Sequence, residues 1–343
     1  MIKTHYINET HIWDYDTSHA FDMYFKDCKI CVLDIETTGL SPERSHFVIG
    51  SLLSIEDGEA RLLQYFAESV DEEKKLLAEY VAEATKYDVL LTYNGKHFDI
   101  PFLLSRADKL ELDVFDMPYN LDLYLVLNGH SSLRKLLPNL KQKTVENFMG
   151  LWPYRTDTIS GAESAMLYHQ YLYLKENFED TAECMNVMLL HNKDDVLQLG
   201  KLLPILEKTD FHKAMHRLGF PVIFGDTKLF VQNIAFEKNG LKVSGTQIGT
   251  PIEYVSYGND MSGCLIRFEQ KRQTFEISVP LLKKSGLTIM DLRKLPIDVC
   301  EQFLKFPNFE SEYLVFRSHN DIKYMEVNFF IKTFLLKVLE VIS

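Results

Sequence analysis

Cysteine is scarce in this chain: five among 343 residues, an odd number and too few to staple a small secreted fold. Cys28 and Cys31 form a C-x-x-C, but no second pair follows at zinc spacing. They also open an apolar run in which neighbouring side chains alternate faces, so neither a redox couple nor a zinc site is expected there. With 16 glycines and 11 prolines, collagen-like and Pro/Gly-rich disordered architectures are excluded. No apolar run is long enough for a bilayer: residues 329–342 are interrupted by Lys332 and Lys337, so no membrane partner is expected. The first sixteen residues hold no apolar core of the signal-peptide kind, and a cytoplasmic location is expected. Positive charge is lacking too. The net charge is −12, which excludes a protein whose whole surface attracts nucleic acid or anionic lipid.

What is present is ordinary globular composition, 46% hydrophobic and 25% charged, at a length that suits about two domains. The charge is unevenly placed. Residues 1–210 carry 20 basic and 35 acidic side chains, whereas residues 211–343 carry 17 and 14. The first part therefore concentrates carboxylates that need an explanation.

Residues 30–35 form a β-branched run that stops at Glu36, and read as a buried strand. Residues 47–55 and 60–66 flank Asp57-Gly58, a hairpin signal. Leu76, Leu77, Tyr80, Val81 and Ala84 recur at helical spacing within residues 71–86. A strand at 89–93 precedes a helix that Pro101 opens and that runs to about Lys109. Residues 121–127 read as a fifth strand and residues 131–206 as helices. The order predicts an α/β fold, a mixed five-stranded sheet flanked by helices. Beyond residue 210 short strands at 230–236, 241–245, 253–257, 264–268, 274–279 and 313–317 join helical stretches at 290–305 and 328–343. A second, smaller α+β domain is expected. The domains are thus an N-terminal extension (1–27), the α/β domain (28–209) and the α+β domain (210–343).

Four carboxylates recur at element boundaries. Asp34 and Glu36, in LDIETTGL, end the first strand two residues apart and share a face. Asp99, in YNGKHFD, lies where a strand passes into a helix. Asp195, in HNKDDVLQL, sits on a late helix one turn after His191. Asp194 lies about 100° around that helix and is the weaker candidate. Carboxylates gathered from adjacent strand ends and a packing helix suit hard divalent cations, Mg²⁺ or Mn²⁺. Two such ions about 3.5–4 Å apart clamp the attacking and leaving oxygens of a phosphodiester displacement. A neighbouring histidine takes the proton of the attacking water.

In this order LDIETTGL, YNGKHFD and HNKDD resemble the DEDD superfamily of 3′–5′ exonucleases on the ribonuclease-H-like fold. Asn94-Gly95, Asp122, SLRKLLPNLKQKTVE and YRTDTISGAESAMLYHQYL make the chain most similar to the YprB-type domain within it, over about residues 28–205. The resemblance implies metal ligands at Asp34, Glu36, Asp99 and Asp195, and puts His191 in the place of the general base. It matches Thr37, Thr38 and Leu40 to positions that meet the terminal nucleotide. His191 stands four residues before Asp195, the spacing of the tyrosine subclass rather than the five of the histidine subclass.

Between His130 and Arg155 the charge inverts: Arg134, Lys135, Lys141, Lys143 and Arg155 face a single acid, Glu146. Phe148, Trp152 and Tyr154 are interleaved with them, a composition for base stacking or for packing. Asn94, Lys141 and Arg155 join the candidates for substrate binding, and Lys96 and His97 lie beside the second motif. The expectation is a two-metal nuclease, a 3′–5′ exonuclease on single-stranded DNA or RNA. Its alternatives are a non-catalytic binding or scaffold protein and a structure-specific endonuclease.

Overall fold

A computed structural model describes residues 5–12, 17–56, 59–113, 116–157, 159–238, 240–256 and 263–342. The expected Asp57-Gly58 turn, Tyr257 and Ser343 lie outside them. The chain divides into two compact units, Met1–Ser18 with Cys28–Thr209, and His19–Asp27 with Asp210–Ser343. Residues 1–27, expected as one extension, are thus shared out instead.

In chain order the elements begin with β1 (His5–Ile12) and α1 (His19–Phe25), the latter in the second unit. The first unit continues with β2 (Ile30–Thr37), β3 (Phe47–Glu56), β4 (Glu59–Phe66), α2 (Glu73–Ala84) and β5 (Val89–Thr92). Then come α3 (Asp99–Lys109), β6 (Tyr119–Asp122), α4 (Leu123–His130), α5 (Leu133–Leu136), α6 (Gln142–Phe148), α7 (Gly161–Glu176) and α8 (Ala182–Lys201).

Among the described residues the first unit holds one mixed sheet in the order β1-β4-β3-β2-β5-β6. The β1/β4, β4/β3 and β3/β2 pairs are antiparallel, and β2/β5 and β5/β6 are parallel. Two corrections to the expected sheet follow. It has six strands rather than five, because His5–Ile12 pairs along all of β4; its sequence, HYINETHI, has little of the apolar pattern that marks a strand. The strand expected over 121–127 ends at Asp122, whose carboxylate accepts from the Leu125 amide and caps α4. A short apolar run fits strand or helix equally, and the cap decides.

Alternation sorts the core. Cys31, Leu33 and Ile35 pack with Leu76, Leu77 and Tyr80 of α2 and with Phe102 and Leu103 of α3. Val48, Ile49 and Phe66 join Tyr168, Tyr171 and Met188 of α7 and α8 in a second cluster. Tyr80 packs edge-on to Tyr65 and beside Phe47, and its hydroxyl donates to the carbonyls of Asp34 and Ser51, each at 3.1 Å. Gly50 makes room for this: a Cβ there would lie 2.5 Å from the Tyr80 ring.

The second unit adds α9 (Phe211–Leu218), β7 (Phe220–Phe224), β8 (Thr227–Phe236), β9 (Gly240–Gly249), β10 (Tyr254–Val255), β11 (Leu265–Glu269) and β12 (Thr274–Pro280). After these come β13 (Leu282–Lys284), β14 (Leu287–Asp291), β15 (Phe309–Glu310), β16 (Tyr313–Ser318), β17 (Asp321–Ile322) and α10 (Tyr324–Ile342). Its sheets run β10-β11-β12-β9-β8-β7 and β13-β14-β16-β15, with β17 on β16. The helix expected over 290–305 is corrected to the end of β14 followed by two short 3₁₀ turns; Pro296 forbids a continuous helix. Helix α1 is tied to α10, where Lys332 donates to the carbonyls of Met23 and Tyr24. No described helix is long and apolar enough to cross a membrane.

Gly50→Ala should overpack the Tyr80 contact and lower stability by about 1–3 kcal/mol in urea unfolding. Unchanged stability would show that the ring shifts freely.

Candidate active site

Because the odd positions of β2 face α2 and α3, Asp34 and Glu36 turn to the face that carries α8. The β2/β3 ladder shifts register between Glu36 and Thr37, a bulge of the kind that re-aims side chains at a strand end. Strand β5 runs parallel to β2, which continues to Thr37, and itself ends at Thr92, one residue past the Val32/Leu91 pair. From there the chain passes through Asn94, in the left-handed region at φ 66, to Asp99 at the start of α3. Asp122, at the end of β6, pins this loop: its carboxylate accepts from the amides of Asn94 at 2.9 Å and Lys96 at 3.0 Å. Helix α8 supplies His191 and Asp195 one turn apart.

These groups line one cleft of about 720 Å³. Asp34, Glu36, Asp99, His191 and Asp195 are all in it, with Thr37, Leu40, Asn94 and Lys141. Leu40 is 84% exposed at its rim, and the Thr37 hydroxyl donates to the Gly39 carbonyl at 2.8 Å. Glu36, His191 and Asp195 form the tightest group, their ligand atoms within 4.8 Å of one another. The His191 Nε2 lies 3.4 Å from Glu36 Oε1 and 3.5 Å from Asp195 Oδ2.

Two expected substrate contacts are placed elsewhere. Thr38 does not line the cleft; its hydroxyl accepts from the His46 amide and closes the loop that carries Leu40. Arg155 is corrected from substrate contact to internal brace. Its guanidinium is fully buried, paired through two nitrogens with Glu146 and bonded to Asp157 and to Asp195 Oδ1 at 2.6 Å. A guanidinium that is fully buried and gives four of its five N–H donors to three carboxylates is closed off from a phosphate in the cleft. Asp194 turns away, accepting from the amides of Thr156 and Asp157.

Three residues escaped the sequence reading. Asp157 Oδ2 lies 2.7 Å from His191 Nδ1. Its carboxyl titrates well below the usual range: burial opposes ionisation, but His191, Lys143 and Arg155 outweigh it. An ionised carboxylate only accepts, so Nδ1 carries the proton and donates, leaving Nε2 to face the cleft. Asn192 donates to Asp34 Oδ2 at 2.7 Å and is held by Ser51 and Gln64. Gln142 donates to the Asp195 carbonyl at 2.9 Å. Asn192 stood inside HNKDD, Asp157 inside YRTDTISGAESAMLYHQYL and Gln142 inside SLRKLLPNLKQKTVE, but no spacing marked any of the three as part of the site.

The electrostatics suit a cation. Burial and then repulsion from Asp195, Asp99 and Glu36 push the Asp34 carboxyl well up, and Asn192 offsets only part. Glu36 is pushed to about 7 by burial and by Asp195 and Asp99, against the pull of His191 and Ser164. Asp99 is also pushed to about 7, by burial and by Asp122 and Asp195, against backbone amides. For His191 burial lowers the pKa, but Asp157, Asp195 and Glu36 outweigh it and the net shift is upward. Oxygen donors left so uncompensated fit a hard divalent cation.

Carboxyls raised in the folded state bind protons that the unfolded chain has already lost. With EDTA present, stability should therefore be fullest near pH 4–5 and fall as pH rises through about 7. Asp99→Asn should flatten that fall in thermal melts at pH 5–8 and raise Tm at pH 8 by about 3 °C or more; parallel curves would count against the buried carboxyl. Arg155→Ala, which strands the buried carboxylates of Glu146 and Asp157 and unties that of Asp195, should lower stability by about 3–5 kcal/mol in urea unfolding. Arg155→Lys should recover only part, lacking the planar fork.

The chain's similarities follow this geometry. A family model described as RNase H superfamily matches residues 31–206. A DNA polymerase of Methanocaldococcus jannaschii is 28% identical over 110 residues, 30% of this chain and 7% of that protein. DNA polymerase 1 of Sulfolobus acidocaldarius is 34% identical over 93 residues, 22% and 11% of the two chains. The chain thus spans a small part of these relatives. Among solved structures, a family B DNA polymerase from Pyrobaculum calidifontis aligns with TM-score 0.40 and 20% identity over 52% of this chain and 25% of its own. Escherichia coli exonuclease I in complex with a dA16 oligonucleotide aligns with TM-score 0.28 and 12% identity, over 60% and 54% of the two chains.

Proposed function

The chain belongs to the RNase H superfamily, and from that premise we propose that its first unit is a divalent-metal-dependent nuclease. The reading taken is a 3′–5′ exonuclease acting on single-stranded DNA or RNA. One observation carries it: Asp34, Glu36, Asp99 and Asp195 converge in one cleft, with pKa values raised by burial and mutual repulsion for the first three. A scaffold has no use for such an arrangement, which destabilises the folded chain wherever the acids ionise.

The four carboxylates would hold two Mg²⁺ or Mn²⁺ ions. Such ions supply charge neutralisation on the phosphodiester and activation of the attacking water. The chain's own groups do the rest. His191, its Nδ1 proton held on Asp157, presents Nε2 to the cleft and takes a proton there. Asp157 fixes the imidazole ring against rotation. Arg155 and Asn192 orient the Asp195 and Asp34 carboxylates through one oxygen each, leaving the other oxygen of each for the cleft. Thr37 and Leu40 shape the wall where a terminal nucleotide would seat, and Lys141 offers a cation at the mouth. These placements support the reading.

End-labelled DNA and RNA oligonucleotides of one sequence, incubated with Mg²⁺ or Mn²⁺, test it. Shortening from the 3′ end is expected, with circular single strands left intact. Asp34→Asn should lower kcat by about a thousandfold, the equivalent of losing roughly 4 kcal/mol of transition-state stabilisation. No cleavage in either metal sinks the nuclease, and cleaved circles sink the exonuclease.

A further inference from the structure

Helix α6 and the turn that follows it bury some of their apolar side chains and leave others open. Val145 and Leu151 are packed inside, at 0% and 7% exposure, whereas Phe148, Trp152 and Tyr154 stand 42%, 48% and 60% exposed. Rings left this open within a segment that does pack its aliphatic residues are not core. Pro153 sits between Trp152 and Tyr154 in a 3₁₀ turn, and its locked φ presents both rings on a pre-set backbone.

This turn is joined directly to the cleft. Arg155, the next residue, reaches Asp195 Oδ1 at 2.6 Å. Lys201 Nζ lies 5.3 Å from the Tyr154 ring centroid, and six residues of α8 separate Lys201 from Asp195, about 9 Å along the axis. At the other end of α6, Lys141 is exposed, lines the cleft and has no ion pair among the described residues. Exposed rings with cations on either side, so near a carboxylate site, are complementary to unpaired bases on a phosphate backbone rather than to an apolar protein face.

We propose that Phe148, Trp152 and Tyr154 form a stacking platform for the bases of a single strand whose end lies in the cleft. The substrate class is therefore a single-stranded oligonucleotide that extends beyond the dinucleotide, with its bases free to unstack. The inference rests on the nuclease reading for the position of the strand's end. Duplex bases, stacked on one another, do not reach these rings.

Two measurements test it on the full chain. Titration of the Asp34→Asn chain with dT8 should quench tryptophan fluorescence, and the quench should vanish in Asp34→Asn/Trp152→Phe while affinity is kept, because phenylalanine still stacks. In Mg²⁺ or Mn²⁺, Trp152→Ala/Tyr154→Ala should raise KM for dT8 about tenfold or more with kcat unchanged, and leave dinucleotide cleavage as in the parent. The two residues are 48% and 60% exposed, so folding is expected to survive, and equal dinucleotide turnover verifies it. Saturation by dT8 without a Trp152 quench, or an unchanged KM for dT8, overturns the platform. A quench with no cleavage of either substrate supports the platform and overturns the nuclease.

Discussion

Mutual repulsion among buried carboxylates is the constraint around which the first unit is arranged. Asp34, Glu36, Asp99 and Asp195 are drawn into one cleft, and among the described residues Arg155 is the only lysine or arginine whose side chain is bonded to any of them. Ordinary folding would disperse or neutralise such groups. Here the sheet does the opposite, because β2 runs on past the end of its parallel neighbour β5, and the chain leaving β5 carries Asp99 to the cleft that α8 also lines. The free energy comes from the apolar layers on both sides of the sheet, where Leu33, Tyr80 and Phe102 on one face and Ile49, Phe66 and Tyr168 on the other are buried almost completely. Instability is confined to one place and supported from everywhere else.

That support has a definite wiring. Arg155 is shared by Glu146, Asp157 and Asp195, and Asp157 passes the constraint on to His191. Helix α6, the loop of Asp157 and helix α8 are thereby locked through one guanidinium. Asn192 performs a neutral version for Asp34, anchored on Ser51 of β3 and Gln64 of β4. Rigid positioning of this kind matters where oxygen atoms must meet a cation without paying for rearrangement. It also explains why the positive charge of residues 130–155 is less available than its count implies: Lys143 and Arg155 are spent on Asp157 and Glu146. The cations left at the cleft mouth are few, which is why the proposed binding of a strand leans on metal ions and ring stacking.

Much of this was legible in the residues. The hairpin strands, the helix at Leu76–Ala84 spacing, and the sequence order of the acid motifs pointed to a mixed sheet with carboxylates at its ends. Asp34 and Glu36 were readable because a two-residue period is local. His191 and Asp195 were readable because a helical turn is local too. Where a signal was weak the outcome differed: β1 has little apolar pattern, residues 121–127 fitted two periods at once, and Pro296 outweighed an apolar stretch.

Local spacing and residue chemistry were therefore enough to determine which side chains are the candidate ligands and which face of each element carries them. Only the tertiary structure decided the partners. Arg155 looks the same in sequence whether it meets a phosphate or Glu146, since the answer depends on a contact with residues nine and forty positions away. Asp157 and Gln142 acquire their roles only when their loop and α6 fold back onto α8. The exposure of Trp152 and Tyr154 was likewise undecidable, because the segment's apolar residues can pack or project with equal local plausibility. Hydrogen bonds and burial are properties of the whole packed unit, and no window of sequence contains them.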